Sequence, residues 1–269
     1  MTDRVVYTIQ DGIADVKLNR ADKMNAIDSA MFEGIIAVGR ELSAIKSLRA
    51  VVLSGEGRAF CAGLDFSSFQ AMAGASRERS GAAASGFVQD GPANRAQMAG
   101  YVWMECPVPV IAAIHGYAFG GGLQIALGAD IRFITPDAQM SIMEVRWGLV
   151  PDMSGTQTLR HLTRLDVAKE MAFTGKRING EQAVQLGFAT HVSDNPHESA
   201  MELAREIASK SPSAIRAAKK LMNSTRFVNM DEGFKLEASL QGSLIGKPNQ
   251  IESVRANMEN RKPEFSDPE

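Results

Sequence analysis

The sequence predicts an α/β core followed by an α-helical C-terminal region. Three observations carry this reading. Short apolar, β-branched segments alternate with segments of helical periodicity up to about residue 192. From Glu198 to the end only the helical pattern remains, which separates a mixed core from a helical remainder. The third observation is the stretch from Pro107 to Asp130. There an unbroken apolar run, Val108 to Ile114, reaches a turn at His115-Gly116, and Gly120-Gly121-Gly122 then leads into Leu123 to Leu127 as a helix start. Strand, glycine corner and helix start together aim unpaired backbone N–H groups from the positive end of a helix dipole. Glycines let a ligand approach such groups closely, so this corner suits stabilisation of a negative oxygen.

Each element has its own signal. Val5 to Leu18 alternates around Asp11-Gly12 and reads as a β-hairpin. Asn19 to Ala26 is a polar loop, and Asp28 or Ser29 can cap the helix that spans Met31 to Ile45, with Phe32, Ile35, Ile36, Val38, Leu42 and Ile45 at helical spacing. Arg49 to Ser54 is a buried strand, and Ala59 to Phe66 a tight loop entering a helical segment. Residues 67–97, rich in Ser, Ala and Gly, read as helix fragments on a flexible connection near a pocket mouth, or as a plain surface insert. A helix from Gln97 leads to the Pro107–Asp130 stretch. Beyond it lie strands at Asp130 to Ile134 and Gln139 to Ile142, a corner at Gly148 to Asp152, and a helix through Leu162 capped by Ser154. Helices follow at Ala168 to Phe173, Gly180 to Leu186, Ala200 to Lys210, Ser213 to Met222, Asp231 to Leu244 and Asn249 to Asn260.

Composition narrows the class of protein. The 269 residues suffice for one large domain or a domain with an appendage, and 45% hydrophobic with 22% charged residues is ordinary for a globular chain. A net charge of −2 carries no footprint for nucleic acid or an anionic membrane. The first residues lead straight into a strand, no apolar run reaches spanning length, and a cytoplasmic protein is the expectation. Cys61 and Cys106 are too few for a disulfide framework or a metal cluster and are expected to be buried thiols.

Several common sites are missing from the sequence. It contains no Walker A sequence, no strand–GxGxxG–helix fingerprint, no HExxH and no GxSxG, and its four histidines form no ligand cluster. No metal is expected. What remains is two backbone corners and two carboxylates. Leu64, just past Gly63, and Gly121 could each offer a backbone N–H, and together they would make an oxyanion hole. Taken alone, each corner reads first as a plain strand-to-helix connection. Glu144 and Asp152 stand eight residues apart in a largely apolar run, where burial would raise their pKa values toward acid–base work near neutrality. The alternative is structural: a salt bridge from Glu144 to Arg146 or Arg160, and Asp152 as a helix cap.

These segments, in combination and order, resemble the enoyl-CoA hydratase/isomerase (crotonase) family. The resemblance runs through Leu18-Asn19-Arg20 to Asn25-Ala26, Arg58 to Asp65, Pro109 to Asp130, Gly148 to Asp152 with Gly155-Thr156-Gln157, Thr174 to Ile178 and Ser211-Pro212. It implies a crotonase-like spiral of ββα units over residues 1–194 and a helical trimerisation region over 195–269, with trimers pairing into hexamers. It also implies an acyl-CoA thioester as substrate, with CoA entering as part of that substrate and no separate cofactor, while the charge balance already argues for neither nucleic acid nor membrane as partner. By the same resemblance Leu64 and Gly121 form the oxyanion hole. The residues expected to touch the CoA ester are Lys23, Ala62, Gly63, Asp65, Gly120, Gly122 and Trp147, with Arg261-Lys262 near CoA phosphates. Met72, Phe87, Met98 and Met143 join Trp147 as candidate pocket linings or as core.

The departures from the family pattern bear on the reaction. Family hydratases use two glutamates; the first falls on Gln124, whose amide takes up no proton at neutral pH, and the second on Glu144. Ala21 stands where the family commonly has proline. Asp152 matches an acid–base aspartate of isomerase branches, and the pair Glu144 with Asp152 resembles the dienoyl-CoA isomerases that shift 3,5-double bonds to 2,4. The Gly148-to-Asp152 run also resembles ring-processing isomerases of phenylacetyl-CoA breakdown. The expectation is therefore a double-bond isomerase with Asp152, Glu144 and Gln124 as its catalytic set. A hydratase using Glu144, with Gln124 placing the water, is the alternative, and a non-catalytic CoA-ester or RNA-binding scaffold is the third reading.

Overall fold

The computed structural model describes residues 4–67 and 91–268. The connection expected over 67–97 lies, apart from its two ends, outside the described residues, as do Met72 and Phe87. The chain opens with β1 (Val5–Gln10) and β2 (Ile13–Leu18), an antiparallel hairpin whose turn residues Asp11 and Gly12 both take positive φ, 52° and 77°. That is the conformation for which an Asp-Gly pair is suited. Helix α1 (Ser29–Ala44) starts at Asp28, whose carboxylate accepts from the Met31 N–H at 2.8 Å. Strand β3 (Ala50–Gly55) and helix α2 (Arg95–Glu105) follow, the helix opened by a reciprocal Asn94–Gln97 capping box. Next come β4 (Val110–Ile114), β5 (Tyr117–Phe119), α3 (Gly121–Leu127), β6 (Ile131–Ile134) and β7 (Gln139–Ser141). A short 3-10 helix (Glu144–Trp147) precedes α4 (Gly155–Leu162), α5 (Leu165–Thr174), α6 (Gly180–Gln185) and β8 (His191–Val192). The helical remainder is α7 (Pro196–Ala208), α8 (Pro212–Ser224), α9 (Met230–Leu244) and α10 (Pro248–Met258).

The strands form a six-stranded sheet in the order β1-β2-β3-β4-β6-β8, parallel from β2 onward, and a small parallel sheet of β5 and β7. Period-two alternation assigns the faces of the larger sheet. Val51, Leu53, Val110, Ala112 and Ile114 point into the main core, against Met31, Ile35 and Leu42 of α1 and Val102 and Trp103 of α2. Ala50, Val52, Ile111 and Ala113 point to the opposite face, where Ala200 and Ala204 of α7 cover them. Thus α7, just past residue 194, is a layer of the sheet. Strands β3 and β4 read as continuous apolar runs because both of their faces are covered.

Helix α8 is held to the core by a cation. Lys219 Nζ donates to the Trp103 and Val108 carbonyl oxygens, each at 3.0 Å, and to Asp130 Oδ2 at 2.7 Å. Asp130 Oδ2 also accepts from the Val110 N–H at 2.7 Å, so one ion pair joins α8 to the start of β4.

Three short elements carry no periodic signal in the sequence: β5, the 3-10 helix and β8. None exceeds four residues, and the two strands exist through partners far along the chain. One expectation is corrected. Ser154 occupies the position before α4, but its hydroxyl does not cap the helix and is buried without a partner among the described residues. With φ at +70° its hydroxyl is not set over the first turn, and the opening N–H of the helix, on Gly155, goes to Gln124 Oε1 at 3.1 Å.

Candidate active site

The site is built from two backbone corners that long-range pairing holds together. In the first, Cys61 pairs with Ala118 in parallel, through Cys61 N–H to Tyr117 O at 2.9 Å and Phe119 N–H to Cys61 O at 3.1 Å. Three residues on, Leu64 pairs with Ile27, which donates to Gly63 O at 2.8 Å and accepts from Asp65 N–H at 2.9 Å. In a parallel bridge of this kind the bonds belong to the flanking residues, so the Leu64 N–H points away from Ile27. Among the described residues it donates to no backbone carbonyl.

The second corner begins at Gly120, whose φ of +52° and ψ of −119° turn the chain from β5 into α3. Gly121 is the first residue of α3, so its N–H has no acceptor within the helix. The corners are packed against one another. A Cβ built on Gly63, where φ is +91°, would lie 2.7 Å from the Phe119 carbonyl oxygen and 3.8 Å from the Gly121 nitrogen. Only glycine permits this approach.

The loop between β2 and α1 braces the first corner. Asn25 is fully buried, and its Nδ2 donates to the carbonyls of Glu56, Ala59 and Phe60 at 2.9, 2.8 and 3.2 Å. Arg20 donates to Ala26 O at 3.0 Å and pairs with Asp65. Asp65 also accepts from the Ser67 hydroxyl at 2.6 Å and the Ser67 N–H at 2.9 Å. Those Ser67 bonds first, and then Arg20, push its carboxyl down to about 2. Its side chain is therefore committed to holding the loop. Asn25 was not singled out in the sequence; its place in the Asn19–Ala26 segment was the available signal, and its three acceptors are set by folding.

The Glu144 carboxyl lies against Gly120. Glu144 opens the 3-10 helix, is 9% exposed, and its Oε1 accepts from Gln124 Nε2 at 2.7 Å. Its Oε2 is buried with no hydrogen-bond partner among the described residues. Burial raises the Glu144 pKa, and the charge of Asp152 raises it further. Asp152, in the loop before α4, is also raised, by desolvation on burial. Neither structural alternative is found: among the described residues Glu144 pairs with neither Arg146 nor Arg160, and Asp152 does not cap α4. A Cβ on Gly120 would stand 3.4 Å from Glu144 Oε1, which puts the carboxyl directly against the second corner.

The remaining expected residues are distributed around this centre. Trp147 is exposed and meets Phe66 edge-on, with centroids 6.0 Å apart, so the two rings flank the gap between the 3-10 helix and the Leu64 loop. Lys23 is exposed at the end of a 3-10 turn, beside Met24, whose carbonyl accepts the Ala62 N–H at 2.9 Å. Gly122 is buried within α3. Arg261 is committed to Glu252 and Glu259, and Met98 is buried in the core at 3% exposure. Both cysteines are buried thiols; Cys61 is pushed up to about 12 by burial, which removes it from nucleophilic chemistry.

Two unpaired amides beside two carboxyl groups with raised pKa values can hold an oxyanion while a proton is exchanged next to it. The sequence profile described as enoyl-CoA hydratase/isomerase matches residues 8–268. The chain belongs to that family. It is 32% identical over 263 residues to the mitochondrial Delta(3,5)-Delta(2,4)-dienoyl-CoA isomerase of Mus musculus, covering 95% of this chain and 79% of the relative. It is also 32% identical over 273 residues to the carnitinyl-CoA dehydratase of Proteus mirabilis, covering 98% of this chain and 99% of the relative. The crystal structure of an enoyl-CoA hydratase from Bacillus anthracis superposes with a TM-score of 0.87 at 28% identity, covering 97% and 98% of the two chains. This hydratase/isomerase-family chain therefore has the crotonase fold expected from its sequence.

Proposed function

We propose that this enzyme isomerises a double bond next to the thioester of an acyl-CoA. The N–H groups of Leu64 and Gly121 hold the thioester oxygen as it becomes an enolate. One carboxylate removes a proton from carbon, and the resulting enolate or dienolate is reprotonated at another carbon by the second carboxyl group, so no atom is gained or lost. The observation that carries the reading is the pairing of Glu144 and Asp152, both with pKa values raised by burial, around a residue 124 that is an amide. Two proton-transfer groups placed at different carbons serve such a shift well, and this pair can act as them. The dienoyl-CoA isomerase relative supports the same choice.

Hydration is the second reading, favoured by the unpartnered Glu144 Oε2, an atom able to take a proton from water. Incubating the protein in D₂O with CoA thioesters that differ in chain length and double-bond position, followed by mass spectrometry, separates the readings. Deuterium incorporation with double-bond migration and no added water supports isomerisation. Gain of a water favours hydration, and tight binding without turnover favours a non-catalytic scaffold. The same proposal includes self-association: Met230, Phe234, Ile251, Val254 and Met258 of the C-terminal helices, with Phe227 in the turn before α9, are exposed apolar side chains suited to packing against further copies.

A further inference from the structure

We infer that Gln124 is a positioning residue whose amide leaves Glu144 Oε2 as the proton-carrying atom and ties Glu144 to the loop that bears Asp152. The argument begins with which way the amide faces. Gln124 is 3% exposed, and its Oε1 lies 2.8 Å from the Met153 nitrogen and 3.1 Å from the Gly155 nitrogen. Both are backbone N–H groups and can only donate, so the atom facing them must be the oxygen. Nε2 then faces Glu144 Oε1 at 2.7 Å, and that oxygen has to accept. A carbonyl oxygen is the better acceptor for that N–H, so a proton on Glu144 is favoured on Oε2, the atom with no partner among the described residues.

The amide has no freedom to do otherwise. A Cβ on Gly155 would lie 2.7 Å from Gln124 Cγ and 2.9 Å from Oε1, so the chain packs directly on the side chain. Its oxygen also satisfies the N–H of Gly155, the first residue of α4. One side chain therefore fixes two carboxyl-bearing segments: Glu144 by a direct bond, and Asp152 through Met153, its neighbour. A glutamate at position 124 would keep the two backbone bonds but set an oxygen against Glu144 Oε1, and two carboxylates that close must share a proton. Among the described residues, Asp152 is the other titratable group whose charge acts on Glu144.

The catalytic consequence rests on the proposed proton transfer, but the wiring does not, and ligand-free protein can test it. The measurement is infrared titration of the Glu144 carboxyl, identified by difference against Glu144→Gln, in the wild type, Gln124→Glu and Gln124→Met. Gln124→Glu should raise the Glu144 midpoint by about one pH unit or more, and Gln124→Met should raise it through loss of the N–H donor. On any thioester that the wild type turns over, both should lower kcat about tenfold or more with KM nearly unchanged. Gln124→Glu keeps the bonds to Met153 and Gly155, so it remains informative if Gln124→Met does not fold. Midpoints equal to wild type in the folded variants would overturn the inference, even if the enzyme proves to be an isomerase. Shifted midpoints support it, even if no isomerase activity is found.

Discussion

Gly63 sits so close to Gly121 that a Cβ on the first would lie 3.8 Å from the nitrogen of the second and only 2.7 Å from Phe119 O. The two corners are thus spaced by the absence of a side chain. At φ +91° an alanine is strained as well as crowded by backbone, which cannot step aside. Gly63→Ala should cost about 1–3 kcal/mol of stability. It should also separate the two amides and lower kcat by about tenfold to a thousandfold, since one oxyanion donor is worth roughly 3 kcal/mol. Thermal melts and steady-state kinetics on an active thioester check both effects; full activity would remove the oxyanion role from this corner.

Asp152→Asn keeps the size of the side chain and removes its proton chemistry. We expect kcat to fall about 10²–10⁴-fold with little change in KM. Retention of wild-type deuterium exchange by this variant would show that Asp152 takes no part in proton transfer.

Glu144 carries a cost in stability that depends on pH. Burial raises its folded-state pKa above the unfolded value, so the unfolded chain releases this proton at lower pH than the folded protein does. The contribution of this group is neutral below the ordinary carboxylate range, and the folded state loses stability as pH rises from there through the raised value. Glu144→Gln should therefore be more stable than wild type at pH 8, with the gap narrowing at acid pH, while activity falls. Urea unfolding across that range measures it, and a gap that does not vary with pH would contradict the assignment.

Lys219 is 9% exposed and bonded to Asp130 and two carbonyls. Replacing it by methionine keeps the aliphatic stem but leaves those acceptors without their donor. The loss should be about 3 kcal/mol, as for breaking one side of a buried pair. Because the Lys219 partners Trp103, Val108 and Asp130 all lie outside the two glycine corners, catalysis in the folded fraction should persist. Chemical denaturation gives the first quantity, and active-site-normalised rates the second.

Much of this architecture was legible in the chain itself. The hairpin at Asp11-Gly12, the cap at Asp28 and the apolar runs of β3 and β4 are local signals, decided within a few residues by turn geometry, capping and two-sided burial. Leu64 and Gly121 were legible as loop-to-helix corners, and Glu144 and Asp152 as carboxylates in an apolar run. Less visible were β5, β8 and the 3-10 helix that carries Glu144, since elements of two to four residues are made by their partners rather than by periodicity.

By itself, then, the sequence determined an α/β core with a helical remainder, a glycine corner able to receive an oxyanion, and membership of a family through ordered motifs. Only the tertiary structure decided what Gln124 does. As a sequence letter it is a hydratase glutamate changed to an amide; in the fold it takes N–H bonds from Met153 and Gly155 and gives one to Glu144. Those partners lie 20 to 31 residues away along the chain, beyond the reach of any local signal. The physical reason is that a buried amide must satisfy both its donor and its acceptor, and which groups stand within 3 Å of it is known only once the chain has closed around it.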